Sequence, residues 1–301
     1  MFLFDIWGCS MSSSKVQMLI LFLFVFIYGS GFVGAKLGLP YAEPVTFLAI
    51  RFLMASIILG VIAVILKANW KQEKIFWLLS SGLLLQGVFS VGTFYALYYG
   101  MKPAMSALVI ALQPLLVAVL GGFYLREKVT VQRWFGLVLG IMGVAIVVAD
   151  GLTTERVSLT SLVWILISLL GLTLGQLVQK KHCTHMNLWV GGSLQSAFSA
   201  LVMFIATIFL GATDIVWHLD FIIGLTWMTL GVSVGAVTLL FIMLRNNTAN
   251  QVASVFYGVP VAAALVAWPI FGQVPTLVDW LGFTIVVISV LVANKKLSFW
   301  P

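Results

Sequence analysis

The sequence predicts an all-α, polytopic membrane protein with ten transmembrane helices, arranged as two inverted repeats of five helices. Three observations lead to this prediction: the composition, the number of long apolar segments and an internal repeat. The 301 residues are 62% hydrophobic and only 8% charged, whereas a soluble domain has roughly 25% charged residues. A chain this apolar needs lipid as its solvent, which excludes a soluble enzyme, a disordered protein and a secreted disulfide scaffold.

Ten segments are long and apolar enough to cross a bilayer, which requires about 20 mostly apolar residues. The connections between them are short, so successive helices are expected to be antiparallel and no room remains for a soluble domain. The ten predicted spans are residues 16–39, 44–66, 75–99, 103–124, 131–149, 159–180, 187–210, 222–244, 247–271 and 276–294.

The distribution of Lys and Arg predicts the orientation. When the amino terminus is placed inside, the inner segments carry more cations than their outer neighbours, except that Arg245 stands alone between the eighth and ninth spans. This alternation follows the positive-inside rule and would be lost with one span more or fewer. Residues 1–15 and 295–301 are therefore expected to be cytoplasmic tails, with translation beginning at Met1 or Met11. The net charge of +7 is assigned to these inner segments, so no nucleic-acid partner is expected.

An internal repeat appears when the chain is shifted by 146 residues. The fourth and fifth spans then align with the ninth and tenth without a gap, and Pro114 meets Pro260 while Trp134 meets Trp280. Matches of Pro and Trp in one register are harder to obtain by chance than matches between apolar residues.

The repeat has a mechanical consequence, because a unit of five spans is odd and its second copy enters the membrane from the opposite side. The two predicted repeats cover 16–149 and 159–294. In many transporters, inverted halves of this kind enclose a substrate site near the bilayer midplane. The repeat therefore predicts transport by alternating access, with a cavity lined by the first, third, fourth, sixth, eighth and ninth spans.

Several motifs carry a family resemblance over nearly all of residues 16–294. In chain order they are Tyr28-Gly29-Ser30-Gly31-Phe32, Pro44…Arg51-Phe52, Ala104…Ala107…Pro114, Leu125-Arg126-Glu127-Lys128 and Ala253…Pro260…Phe271-Gly272-Gln273. The chain resembles the drug/metabolite transporter superfamily, specifically its EamA-like permeases with two five-helix halves. Tyr28 stands where the family usually has Trp, and Gln273 where it often has Glu. The resemblance implies export or exchange of small metabolites, often amino acids or related compounds, in the bacterial inner membrane.

Polar side chains inside the spans are the candidate substrate-cavity residues, because polar groups are costly in a bilayer. They are Tyr28, Ser30, Gln86, Thr93, Tyr95, Gln113, Gln176 and Tyr257. The alternative is that these groups bond to their own helix or join neighbouring helices. All nine carboxylates fall in termini, loops or helix ends, so a neutral or zwitterionic substrate is expected rather than a multivalent anion or a lipophilic cation.

Two cations and two prolines are further candidates. Arg51 lies about two turns into the second span, roughly 10 Å below the outer surface. It either reaches back to the surface or forms an outer vestibule or gate that contacts a substrate carboxylate. Lys36 lies nearer the surface and has the same two interpretations. Pro114 and Pro260 each remove a backbone hydrogen bond, and we expect them to kink pore-lining helices or to serve packing alone.

A membrane-embedded enzyme is not expected. The three histidines lie in loops, and the sequence has no His-Glu-x-x-His helix, phosphate-binding loop or Ser/His/Asp set. We expect neither a cofactor nor a metal. The expected partners are a small-molecule substrate and the lipid bilayer, with a homodimer left open. The alternative function is that of a membrane sensor or a structural and interaction protein.

Overall fold

The structure is a computed structural model that describes residues 14–71, 74–124, 130–154, 157–183, 186–239 and 256–294. Helices make up nearly all of these residues, and no strand occurs among them apart from an isolated bridge between Ala42 and Ile215. In chain order the helices are α1 Ser14–Gly38, α2 Pro44–Ile65, α3 Ile75–Tyr98, α4 Pro103–Tyr124, α5 Val131–Thr154, α6 Leu159–His182, α7 Leu188–Leu210, α8 Leu219–Leu239, α9 Val259–Phe271 and α10 Leu277–Asn294.

Eight of these helices, α1 to α8, are long and apolar enough to cross a membrane, and α9 and α10 contribute shorter apolar segments. The chain is therefore a polytopic membrane protein. Residues 247–255 of the predicted ninth span lie outside the described residues. The full count of ten spans and the cytoplasmic position of both termini stay predictions.

Local sequence signals explain where the helices begin and end. Pro44 and Pro103 open α2 and α4, at a position where the missing N–H of proline would have had no partner within the helix. The Ser158 hydroxyl caps α6 by accepting a hydrogen bond from the Ser161 amide at 3.1 Å. Gly211 and Gly272 end α7 and α9 with φ of 65° and 66°, a conformation that costs glycine little.

The packing of the helices follows the repeat: the most extensive contacts between helices have equivalents formed by their counterparts in the other half. Helix α2 packs against α7 and α5 against α10, each beside its own counterpart. Contacts of α1 with α8 are mirrored by contacts of α6 with α3, and contacts of α1 with α9 are mirrored by contacts of α6 with α4. The starts of α5 and α10, at Val131 and Leu277, are separated by the same 146 residues that the sequence repeat has.

Helices α3 and α8 each contain a π-helical segment, which the sequence did not predict. The segments are Leu83–Val88 in α3 and Trp227–Ala236 in α8. A shift of 146 residues places the first within the second, so the irregularity occurs at equivalent places in the two halves. Such segments are rare and are frequent at functional sites.

Close backbone contacts hold α3 against α6 and α8 against α1. A Cβ atom built on Gly92 would lie 2.5 Å from the carbonyl oxygen of Trp164, and one on Gly224 would lie 2.7 Å from the carbonyl oxygen of Gly34. Only glycine fits at these distances. Small residues at helix contacts are a common way for membrane helices to approach each other.

Candidate functional site

A cavity lies between α1, α2 and α3 of the first half and α8 of the second. Its volume is about 40 Å³, well below the roughly 300–1,000 Å³ typical of ligand pockets, so the cavity must widen before it can hold a metabolite. Apolar side chains form most of the wall. They include Phe32 on α1, Phe94 on α3, and Met228 and Val232 on α8.

Among the described residues that line the cavity, Arg51 is the one with a cationic side chain. Its side chain lies inside the bundle with only 7% of its surface exposed. The Nε atom donates a hydrogen bond to the Ser233 hydroxyl at 3.2 Å, and the guanidinium carbon lies 5.4 Å from the centre of the Phe52 ring. The structure thus places Arg51 in the cavity between the halves, not in a separate vestibule at the surface.

Ser233 positions Arg51 from within the π-helical segment of α8. Its hydroxyl donates to the carbonyl oxygen of Met228, five residues earlier, at 3.1 Å, which leaves its lone pairs to accept the hydrogen bond from Arg51. Ser233 was not among the predicted site residues. Its position as a hydroxyl in the middle of the eighth span was the only signal in the sequence.

Tyr28 and Ser30 both lie where α1 contacts α8, but only Tyr28 lines the cavity. Tyr28 lines the cavity, and its ring packs against those of Phe24 and Phe256, each with a centroid distance of 5.5 Å. The Ser30 hydroxyl is buried, donates to the Ile27 carbonyl at 3.0 Å and accepts from the Trp227 indole at 3.0 Å. Ser30 therefore joins α1 to α8 behind the cavity wall.

Thr93 lines the cavity from α3 and also contacts α6. Its hydroxyl lies 2.7 Å from that of Ser168, which in turn donates to the Phe89 carbonyl at 2.7 Å. Because a serine has one hydroxyl proton, Thr93 must be the donor to Ser168. The lone pairs of the Thr93 hydroxyl remain free to accept a hydrogen bond.

Tyr95 belongs to a different region. It stacks on Trp164 with a centroid distance of 4.7 Å and on Tyr99 at 6.2 Å, near the end of α3 that precedes α4. It is not among the residues that line the cavity.

The predicted glutamines form contacts between helices and do not line this cavity. The Gln113 amide nitrogen on α4 donates to the Gln176 side-chain oxygen on α6 at 2.5 Å, and the Gln86 oxygen in the π-helical segment of α3 accepts from Ser196 on α7 at 2.8 Å. Tyr257 lies in a short 3₁₀ turn, and its side chain is outside the described residues.

The two prolines begin helices and do not kink continuous ones. Helix α4 is interrupted by a turn at 111–112 and resumes at Gln113, so Pro114 is the second residue of its second part. Pro260 is likewise the second residue of α9, which starts at Val259 after a 3₁₀ turn. Proline is favoured in the first turn of a helix because no N–H is required there. The interruptions therefore occur before the prolines, at positions 146 residues apart.

Lys36 lies apart from the cavity. Its ammonium group is 5.3 Å from the centre of the Phe271 ring, where the ends of α1 and α9 meet. An ammonium group at this distance from a ring is attracted to its face.

Comparisons with known proteins agree with this architecture. Residues 15–149 match the EamA-like transporter family. The chain is 26% identical over 291 residues to the uncharacterized transporter YvbV of Bacillus subtilis, covering 94% of this chain and 92% of the relative. It is 23% identical over 288 residues to the uncharacterized inner membrane transporter YedA of Escherichia coli K12, covering 93% and 91%.

A shorter match and one solved structure complete these comparisons. The chain is 26% identical over 163 residues to a protein of Escherichia coli K12 named "Probable amino-acid metabolite efflux pump", covering 54% of this chain and 53% of that protein. A solved crystal structure aligns with a TM-score of 0.66 at 17% identity, covering 92% of this chain and 96% of that one. This last match shows the fold alone.

The fold, the matched family and the relatives together define a membrane transporter rather than an enzyme, in a multi-pass protein of the inner membrane. They confirm the resemblance indicated by the motifs. The chain is thus similar to the EamA-like transporter family over residues 15–149 and to proteins named as transporters over most of its length.

Proposed function

We propose that this protein is a secondary transporter that exports or exchanges a small neutral or zwitterionic metabolite, amino-acid-like in structure, by alternating access. The observation that carries the proposal is the cavity between the halves, in which Arg51 is buried on an otherwise mostly apolar wall. A buried ionisable group inside a membrane bundle is costly, which makes a functional role the default interpretation.

Alternating access requires two conformations of the protein. In each conformation a different contact region between the two halves is open. The cavity lies beside the contact of α1 with α8, whereas polar bonds hold the equivalent region around α3, α6 and α7 together. There the Gln195 amide donates to Ser81 at 3.0 Å and to Gln179 at 3.2 Å. We propose that the second state exchanges these two arrangements, as the pseudo-symmetry of the halves permits.

The π-helical segments support this mechanism because they occur in α3 and α8, at equivalent places in two helices that each contact the opposite half. A π turn differs from an α turn by one residue. We propose that a change between the two shifts the rest of the helix by one residue, and such segments are frequent at functional sites. We propose that α3 and α8 are the helices that move.

The class of substrate is supported by two observations. No carboxylate occurs on the described cavity wall, so a lipophilic cation would lack a counter-charge. One of the relatives carries the name of an amino-acid metabolite efflux pump. The first disfavours a cationic solute, and the second favours a small, amino-acid-like one.

Counterflow in proteoliposomes, with a labelled mixture of amino acids and with or without an imposed pH gradient, tests the proposal. We expect protein-dependent uptake in the absence of a gradient. Uptake only with a gradient would show coupling to protons and would replace the exchanger by a coupled transporter. The absence of uptake under both conditions, together with binding of a membrane partner, would favour the sensor or structural alternative.

Two variants test the contribution of α4 and α9. We expect Gln113→Ala and Tyr257→Ala to lower flux without lowering membrane insertion. The first breaks the hydrogen bond between α4 and α6, and the second changes the turn that precedes α9. Leu201→Ala is the matched control, since Leu201 is 54% exposed on the outer face of α7. Flux equal to wild type in either variant would remove that residue from the mechanism.

A further inference from the structure

We propose that the Arg51 guanidinium binds a substrate carboxylate, and that the substrate is a small monocarboxylate with an apolar body whose amino group is dispensable. This inference rests on the proposed function for its setting and specifies which part of an amino-acid-like solute the cavity recognises. It differs from the proposed function in the charge of the solute, because a monocarboxylate without an amine is an anion.

The first step concerns the hydrogen-bonding capacity of Arg51. A guanidinium has five N–H donors in a planar fork, and among the described residues only Nε has a partner, the Ser233 hydroxyl. The four N–H groups on the two terminal nitrogens have none there. Those two nitrogens form the edge that binds a carboxylate with two parallel hydrogen bonds.

The second step concerns charge. A buried cation without an anion is strongly unfavourable, and no described carboxylate forms an ion pair with Arg51. Glu43 caps α2 eight residues before Arg51, about 12 Å away along the helix axis at 1.5 Å per residue. It accepts a hydrogen bond from the Tyr98 hydroxyl at 3.2 Å. An anionic ligand therefore supplies the charge that the protein omits.

The third step concerns the rest of the ligand. Around Arg51 the wall consists mainly of Phe32, Phe94, Met228 and Val232, which favour a hydrocarbon body. The other polar residues of the described wall are Tyr28, Ser90 and Thr93, whose hydroxyl groups carry no charge. With no carboxylate on the described wall, the ammonium group of an amino acid would have no ion-pair partner. Its removal should leave affinity unchanged or improve it.

The experiment compares three ligands that share the isobutyl side chain of leucine: leucine itself, 4-methylpentanoate, which lacks the amine, and 3-methylbutylamine, which lacks the carboxylate. Binding to the full-length protein in nanodiscs is measured by calorimetry, and empty nanodiscs correct for partition into lipid. We expect both carboxylates to bind, 4-methylpentanoate at least as tightly as leucine, and the amine at least tenfold more weakly. Tight binding of the amine, or binding of leucine alone, would overturn the proposal.

Variants assign the effect to the guanidinium. Arg51→Gln is expected to weaken carboxylate binding about 10- to 100-fold, which corresponds to about 1.4 to 2.8 kcal/mol. Arg51→Lys should fall between wild type and Arg51→Gln, since it keeps the charge but not the planar fork. Ser233→Ala tests a positioning residue and should cost less than Arg51→Gln. The matched control is Lys36→Gln, which removes a cation outside the cavity and should leave affinity as in wild type.

The outcomes separate this inference from the proposed function. Carboxylate binding that depends on Arg51, without counterflow of any ligand, would support the binding site and contradict transport. Counterflow that Arg51→Gln leaves intact would support transport and overturn the role of Arg51. If Arg51→Gln does not fold, the three ligands on wild type and the graded effect of Arg51→Lys decide the question.

Discussion

Replacing Gly92 by alanine tests the close contact between α3 and α6 beside the cavity. The added Cβ would lie 2.5 Å from the Trp164 carbonyl oxygen and 2.6 Å from the Ser168 amide nitrogen, whereas ordinary contact begins at 3.4 Å. Both atoms belong to the backbone, so the helices must separate locally by about 0.9 Å. The hydrogen bond between Thr93 and Ser168, 2.7 Å long, would then stretch to about 3.6 Å and be lost.

The expected cost follows from these distances. Overpacking costs about 1–3 kcal/mol, and loss of the hydrogen bond costs about 1 kcal/mol more. The higher helix propensity of alanine offsets up to about 1 kcal/mol of this loss of stability. We therefore expect Gly92→Ala to lower the free energy of unfolding by about 1–3 kcal/mol and to reduce counterflow, because Thr93 also lines the cavity.

The assay is reversible unfolding in mixed micelles, followed by counterflow on the same preparation. Gly192→Ala is the matched control. Among the atoms of the described residues, its added Cβ would have only Leu59 Cδ1 within 4 Å, at 3.2 Å. This atom is at the end of a flexible side chain, so the variant should keep or gain stability. Equal stability of the two variants would refute the close packing of α3 on α6.

Two further predictions concern groups outside the cavity. Gln113→Leu and Gln176→Leu should each destabilise the protein. A double-mutant cycle should give a coupling energy of about 0.6 kcal/mol and at most about 1.7 kcal/mol, the range found for hydrogen bonds between membrane helices. Zero coupling would show that the two amides do not meet. Burial raises the pKa of the Cys183 thiol, against a smaller lowering by the Ser81 hydroxyl and by a nearby lysine. In a Cys9→Ser background, alkylation of Cys183 should therefore be slow near neutral pH and accelerate as the pH rises through the raised pKa. Ser81→Ala should slow it further, and a rate equal to that of an exposed thiol would contradict the burial.

Much of the fold was accessible from the sequence because the relevant signals are local. Runs of apolar residues are long enough to predict each of the first eight helices. Pro44 begins one apolar run and Gly211 follows the end of another, and the backbone preferences of proline and glycine mark these helix ends. The shift of 146 residues also anticipated the equal spacing of the helix starts at Gln113 and Val259. Whether proline would kink a helix or begin one was not decided locally, because the identity of the residue does not show whether a helical turn precedes it.

The candidate site was accessible only in part. Tyr28 and Thr93 were selected as costly polar groups, and both line the cavity. Gln86 and Gln113 were selected by the same argument, yet they bond to neighbouring helices. The chemistry of an amide does not distinguish a ligand partner from a protein partner, since either one satisfies it.

By itself, the sequence determined that the protein is a polytopic membrane protein, and it indicated the helical segments, the internal repeat and the resemblance to a transporter family. These follow from composition and from residues close together in the chain. The tertiary structure decided which faces meet, and hence that Arg51 points into the bundle with Ser233 as its partner. In a soluble protein, an apolar stripe along a helix indicates which face is buried. In a membrane protein, lipid and protein interior are equally apolar, so composition does not distinguish the two faces. Helices apolar all round, such as α2 and α8, carry no stripe from which their inward faces could be predicted.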